Sequence, residues 1–73
     1  MKEIIFKNIK DGRLESFNDF DKIVVHKGGK DISVEYPSDV IMDYAFGYAY
    51  TVYLKNGGTK SLSKEWMANH ASD

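Results

Sequence analysis

His26 and His70 are the only imidazoles in the chain, and no cysteine accompanies them. A zinc centre needs three or four converging ligands, and two histidines in separate segments do not supply them. His26 reads as a solvent-facing strand residue. His70 reads as a cation at a helix end, where the macrodipole favours positive charge. Asp39 and Asp43 stand four positions apart, a spacing that puts both on one face of a helix, or farther apart on one face of a strand. A solvated acidic face accounts for them without a catalytic dyad. Ser61 and Ser63 lack the Gly-x-Ser-x-Gly elbow of a nucleophile and fit a strand end and a helix cap. Gly28-Gly29-Lys30 has glycines beside a lysine, but a phosphate loop spaces Gly-x-x-x-x-Gly-Lys-Ser/Thr between a strand and a helix. Here the pair joins two strand patterns. No catalytic residue, metal ligand or cofactor is expected, and the chain reads as a non-enzyme.

Charge is more informative. Ten Lys and Arg stand against eleven Asp and Glu, a balance that argues against binding nucleic acid by net charge and against a strongly acidic DNA mimic. The distribution is uneven. Seven of the ten basic residues fall in the first thirty positions, whereas the span from Asp31 to Leu54 has none and carries Asp31, Glu35, Asp39 and Asp43. That acidic span also holds all five tyrosines, which join apolar area to a polar tip and are enriched at interfaces. Tyr36, Asp39, Asp43, Tyr44 and Tyr53 are therefore the candidate partner-binding residues. Lys7, Lys10, Arg13, Lys22, Lys27 and Lys30 form the alternative set. Brought to one side, they would track a single-stranded nucleic-acid backbone while Phe or Tyr rings stack on bases.

The elements that must position these groups are mainly strands. Val40, Met42, Tyr44, Phe46, Tyr48, Tyr50, Val52 and Leu54 alternate with smaller or more polar residues, and side chains of a strand point to opposite faces with a period of two. Over residues 38–47 two readings stand open. Ser38 could cap a short helix through Phe46, with Asp39 in its first turn, Gly47 just past its end, and Val40, Ile41, Tyr44 and Ala45 as its apolar stripe. Alternatively the alternation continues as one long strand bent at Gly47. From Tyr48 onward the chain reads as strand.

Three turn signals divide the rest. Asp11-Gly12 fits a two-residue type I′ hairpin between residues 3–9 and 13–17. Lys27-Gly28-Gly29-Lys30 joins residues 22–26 to 31–36, and Asn56-Gly57-Gly58 joins 48–54 to 59–62. Pro37 cannot donate to a ladder and marks a strand end. Ser63 to His70 reads as a short helix with Ser63 as cap and Trp66 and Met67 docking on the sheet, and residues 71–73 as frayed.

Seventy-three residues make one domain, 1–73, with a small interior and no cysteine staple. One small interior cannot hold all ten aromatic rings. At least two of Tyr44, Phe46, Tyr48 and Tyr50 are expected in the core, and Tyr36 and Tyr53 at the surface. The expected fold is mainly β: five or six strands in a closed or nearly closed SH3-like or OB-like barrel, or an open antiparallel meander, with a short C-terminal helix. No apolar run approaches the roughly 20 residues of a membrane span, and residues 1–7 are too charged for a signal peptide. A soluble cytoplasmic protein is expected.

Val34-Glu35-Tyr36-Pro37, followed by Asp43-Tyr44-Ala45-Phe46-Gly47-Tyr48-Ala49-Tyr50-Thr51-Val52, resembles a segment of RecD-like superfamily 1 helicases. There a small SH3-like insert ends in a Val-Glu-Tyr strand and is followed by a motif that couples nucleotide and single-stranded DNA sites. The resemblance spans residues 31 to 57. The family's His, Lys and Gln fall at Tyr53, Leu54 and Asn56, leaving only Gly57, and no Walker lysine motif is present. The resemblance thus implies an SH3-like barrel and no ATPase or unwinding activity.

The combined expectation is a non-enzymatic protein-interaction module whose tyrosines bury apolar area while its carboxylates pair with basic residues of the partner. The Lys-, Asn-, Asp- and Tyr-rich composition is similar to that of small phage or mobile-element proteins that inhibit a host enzyme by binding it. A single-stranded nucleic-acid binder is the alternative. An edge strand could also pair two copies of the chain.

Overall fold

Glycine turns and two-residue periodicity build most of the molecule, of which a computed structural model describes residues 2–73. Among the described residues the elements run β1 (Glu3–Asn8), β2 (Leu14–Phe17), β3 (Phe20–Lys27), β4 (Lys30–Val34), α1 (Pro37–Tyr44), β5 (Ala49–Leu54), β6 (Thr59–Leu62) and β7 (Trp66–Ser72). The strands form two antiparallel sheets, one ordered β2-β1-β7 and the other β4-β3-β5-β6.

The β3–β4 hairpin closes as its sequence predicts. Lys27 pairs with Lys30, and Gly28 (φ 54°) and Gly29 (φ 84°) both take the left-handed conformation that a type I′ turn requires. The β5–β6 turn is also where it was expected, with the Gly58 N–H donating to Asn56 Oδ1 at 2.9 Å.

The β1–β2 connection differs from the two-residue turn expected at Asp11-Gly12. No non-glycine residue has positive φ among the described residues, so Asp11 cannot supply half of a type I′ turn. Instead Asn8, only 3% exposed, organises a wider loop. Its Oδ1 accepts the backbone N–H groups of Lys10 at 2.9 Å and Asp11 at 3.2 Å, and its carbonyl accepts the Gly12 N–H at 2.9 Å. A side chain thus does what a tight turn would have done.

The inner faces of the two sheets share one core. Ile4 and Phe6 of β1, Ile23 and Val25 of β3, and Tyr50 and Val52 of β5 are fully buried. The Phe6 and Tyr50 rings meet at 4.9 Å across the sheets, and Phe17 packs edge-on against Phe6 at 6.1 Å. Tyr50 donates its hydroxyl to the carbonyl of Tyr44, and burial, helped by neighbouring Tyr48, pushes its phenol up to about 12. The sheets do not close into a barrel, the first of the two architectures expected. The short edge strands β2 and β6 have no ladder with each other, and each sheet keeps two outer edges.

The carboxyl-terminal segment is a strand, not the helix its capping pattern suggested. Ser63 closes a turn, its carbonyl accepting the Trp66 N–H at 3.1 Å and its Oγ the Glu65 N–H at 3.3 Å. The chain then pairs along β1 from Asn8↔Trp66 to Glu3↔Ser72, satisfying backbone groups that β2 leaves free. A bulge between Ile5 and Phe6 shifts the register, so that Trp66, Ala68 and Ala71 all contact the core. His70 is an exposed strand residue rather than a helix-end cation, and residues 71–73 are tied down rather than frayed.

Over residues 38–47 the helical reading prevails as far as Tyr44. Pro37 sits in the first turn, where its fixed φ suits a helix. Tyr36 is the N-cap and makes no side-chain capping bond, so Ser38 is a helical residue and not the cap. Asp73 serves the helix end instead, accepting the Ser38 N–H at 3.0 Å and the Ser38 hydroxyl at 2.6 Å. At the other end the Ala45 carbonyl accepts the Ala68 N–H at 2.8 Å, fastening the helix end to β7. Gly47, at φ 92°, then redirects the chain into β5.

Candidate functional site

Helical geometry decides which of the acidic and aromatic residues share a surface. Pro37 and Val40 of α1 are buried, and Ile41, Tyr44 and Ala45 are packed partly against the core. The remaining arc carries Asp39, Met42 and Asp43, with Phe46 continuing it past the last turn, and all four are exposed. Met42 is 77% and Phe46 61% exposed. Asp39 and Asp43 are separated by four positions, or about 6 Å along the helix axis, and Phe46 follows Met42 by four positions just past the helix end. The result is an apolar row beside an acidic one. Tyr36, 53% exposed, stands at the N-cap of the same helix.

The five sequence candidates therefore divide. Tyr36, Asp39 and Asp43 belong to α1 and its N-cap. Tyr44 is half-buried, packs edge-on against Tyr48 at 5.6 Å, and gives its carbonyl to Tyr50, so it supports the surface from below. Tyr53 lies on the outer face of the four-stranded sheet, 38% exposed, with Lys22 Nζ 5.0 Å above its ring. Met42 and Phe46 were missed because the two-residue alternation grouped them with buried Val40 and Tyr50. A period of 3.6 separates them from Val40, Ile41 and Tyr44.

Among the described residues, Glu35, Asp39 and Asp43 make no ion pair. The basic set is otherwise. Lys10 pairs with Glu65 at 3.1 Å and Arg13 with Asp11 at 2.8 Å, and the Arg13 guanidinium lies 5.5 Å from the Trp66 ring. The Arg13 backbone N–H, with its side chain, holds the Asp11 carboxyl below its usual range. Lys7 leaves the outer face of β1 and Lys22 the outer face of β3, on opposite sides of the shared core, while Lys27 and Lys30 flank the β3–β4 turn. The six do not line one groove.

His26 is half-buried, with both ring nitrogens engaged. Nδ1 lies 2.7 Å from Asp31 Oδ1 and Nε2 2.8 Å from Thr51 Oγ1. This carboxylate–imidazole–hydroxyl order is shared with activated nucleophiles, but its setting is a sheet face. Thr51 is paired on both sides, with Val24 and with Ser61, so the surrounding ladder commits the backbone donors an oxyanion would need. The chain of bonds ties β4, β3 and β5 together. A cleft of about 390 Å³ opens elsewhere, between residues 16–19 and 54–56. Among the described residues no three His, Cys, Asp or Glu side chains converge to hold a metal, and no helix is long and apolar enough to cross a membrane. No family model, curated protein or solved structure matches the chain, so the functional reading rests on this geometry.

Proposed function

We propose that this domain is a non-enzymatic protein-interaction module that binds its partner through the outward face of α1. The observation that carries the reading is the exposure of Met42 on a helix of eight residues and of Phe46 just past its end, beside carboxylates that make no ion pair among the described residues. Burying each of these side chains is worth about 1.5–3 kcal/mol. Asp39 and Asp43 would set orientation and on-rate more than affinity. A small phage or mobile-element inhibitor of a host enzyme is the concrete form that composition favours. Site-specific photocrosslinking in the source cell tests the reading. A probe at Met42 is expected to capture a discrete protein that a probe at Lys60, exposed on β6, does not. Identical products from both positions would refute it.

A second reading, a single-stranded nucleic-acid platform, is favoured by one observation, Lys22 held over the exposed Tyr53 ring. Salt titration of oligonucleotide binding tests it. Absence of binding at low salt removes it.

A further inference from the structure

We infer that the segment received by α1 is a cationic amphipathic helix of another protein, laid along Met42 and Phe46 with its lysines or arginines over Asp39 and Asp43. This inference rests on α1 being the binding surface.

Charge gives the sign of the partner. From Asp31 to Leu54 the chain has no lysine or arginine, and Glu35, Asp39 and Asp43 lack ion-pair partners among the described residues. Apolar side chains flanked on their own segment by carboxylates favour a partner of the opposite sign over an acidic one. A second copy of this chain is a poor complement. Its exposed Ile9 and Leu14 lie near Lys10 and Arg13, but those cations are already paired with Glu65 and Asp11.

Backbone bookkeeping gives the partner's conformation. The free sheet edges lie on the strands, and α1 offers none of them. At its C-terminal end the Tyr44 carbonyl is taken by the Tyr50 hydroxyl and that of Ala45 by the Ala68 N–H. An extended peptide on this face would find no strand edge to join, whereas a helix satisfies its own backbone. The repeat of about 6 Å between Asp39 and Asp43 along α1 matches the i, i+4 spacing of a facing helix, the usual unit of ridge-into-groove packing.

The test uses the intact protein, isotope-labelled, and a synthetic leucine–lysine amphipathic helix of about four turns. A scrambled leucine–lysine peptide and a leucine–glutamate helix are the controls. Saturable amide shifts centred on residues 39–47 are expected with the first peptide alone. Met42→Ser with Phe46→Ser, and separately Asp39→Asn with Asp43→Asn, should each weaken binding about tenfold or more, with a thermal midpoint that falls by no more than about 8 °C. The inference falls if nothing saturates, if a control binds as well, if the shifts centre on other carboxylates such as Asp19 and Asp21, or if sedimentation shows two copies meeting through α1. Should the peptide fail while the Met42 crosslink still captures a protein, the binding surface stands and only the cationic helix is lost. Should both fail, both readings fall.

Discussion

Asp73 holds Ser38 with both carboxylate oxygens, one on the amide and one on the hydroxyl, across thirty-five positions of sequence. The bond to the hydroxyl, followed by that to the amide, keeps the Asp73 carboxyl below its usual range. An N-cap is normally supplied by the residue next to the helix. Here it comes from beyond β7, so the candidate surface and the last strand are one mechanical unit.

Asp73→Ala should therefore loosen the start of α1 and leave the hairpins unaffected. Amide exchange is expected to accelerate at residues 38–40 but not in the β3–β4 ladder. The pH dependence follows from the lowered carboxyl. Its contribution is complete above the ordinary value of 3.8 and is lost as pH falls through the lower folded value. In the wild type, the Ser38 amide resonance should move in that acidic window, and in Asp73→Ala it should not.

Tyr50 gives the opposite limb. Its phenol rises from 10.0 to about 12 in the folded state, so its contribution is complete below pH 10 and disappears as pH climbs towards 12. Alkaline unfolding of the wild type should carry this component, and Tyr50→Phe should lack it. The substitution also leaves the Tyr44 carbonyl without its donor, costing about 1–3 kcal/mol at neutral pH by urea denaturation. A Tyr50→Phe protein with wild-type stability and an unchanged alkaline limb would contradict the assignment.

Trp66→Ala removes a buried ring from β7 together with its stack against Arg13. The expected loss is about 3–5 kcal/mol, a large fraction of what a domain this small possesses. A near-neutral denaturation curve would mean that β7 contributes little to the core.

Met42→Ser and Phe46→Ser should change stability by no more than about 0.5 kcal/mol, as exposed substitutions usually do. Tyr53→Ala should cost no more than about 1 kcal/mol, mainly the cation–π contact with Lys22. The three differ in binding. Partner affinity should fall with the Met42 and Phe46 substitutions and hold with Tyr53→Ala, since Tyr53 faces out from the four-stranded sheet. An equal loss for all three would show a footprint wider than α1.

Legibility in the sequence followed how local each cause is. The Gly28-Gly29 turn is decided by backbone conformation within two residues, and it was readable in full. The β7 strand was not. Ser63-Lys64-Glu65 carries a local capping pattern, while the pull towards strand comes from the unpaired side of β1, far away in sequence. The bulge opposite Ile5 and Phe6 then disrupts the period of two, placing Trp66, Ala68 and Ala71 inward at uneven intervals.

The acidic part of the candidate surface was legible, because Asp39 and Asp43 share a face on either reading. Its apolar part was not. The alternation through Val40, Met42 and Tyr44 gives Met42 the same side as Val40 in a strand and a different side in a helix. Pro37 and Gly47, at the two ends, settle which geometry applies. Of the four rings at 44, 46, 48 and 50, Tyr44 and Tyr48 are half-buried, Tyr50 is buried and Phe46 is left outside.

The pairing of Glu3 with Ser72 has a kinetic cost. During synthesis the first strand can zip to its hairpin neighbour at once, but its other flank must wait until almost all of these residues have left the ribosome. Closing so long a stretch is entropically slow, and topologies dominated by distant contacts fold in roughly milliseconds to seconds, not microseconds. Until β7 arrives, Ile4, Ile5 and Phe6 lack their second strand neighbour, and an apolar strand with an unpaired edge is prone to aggregate.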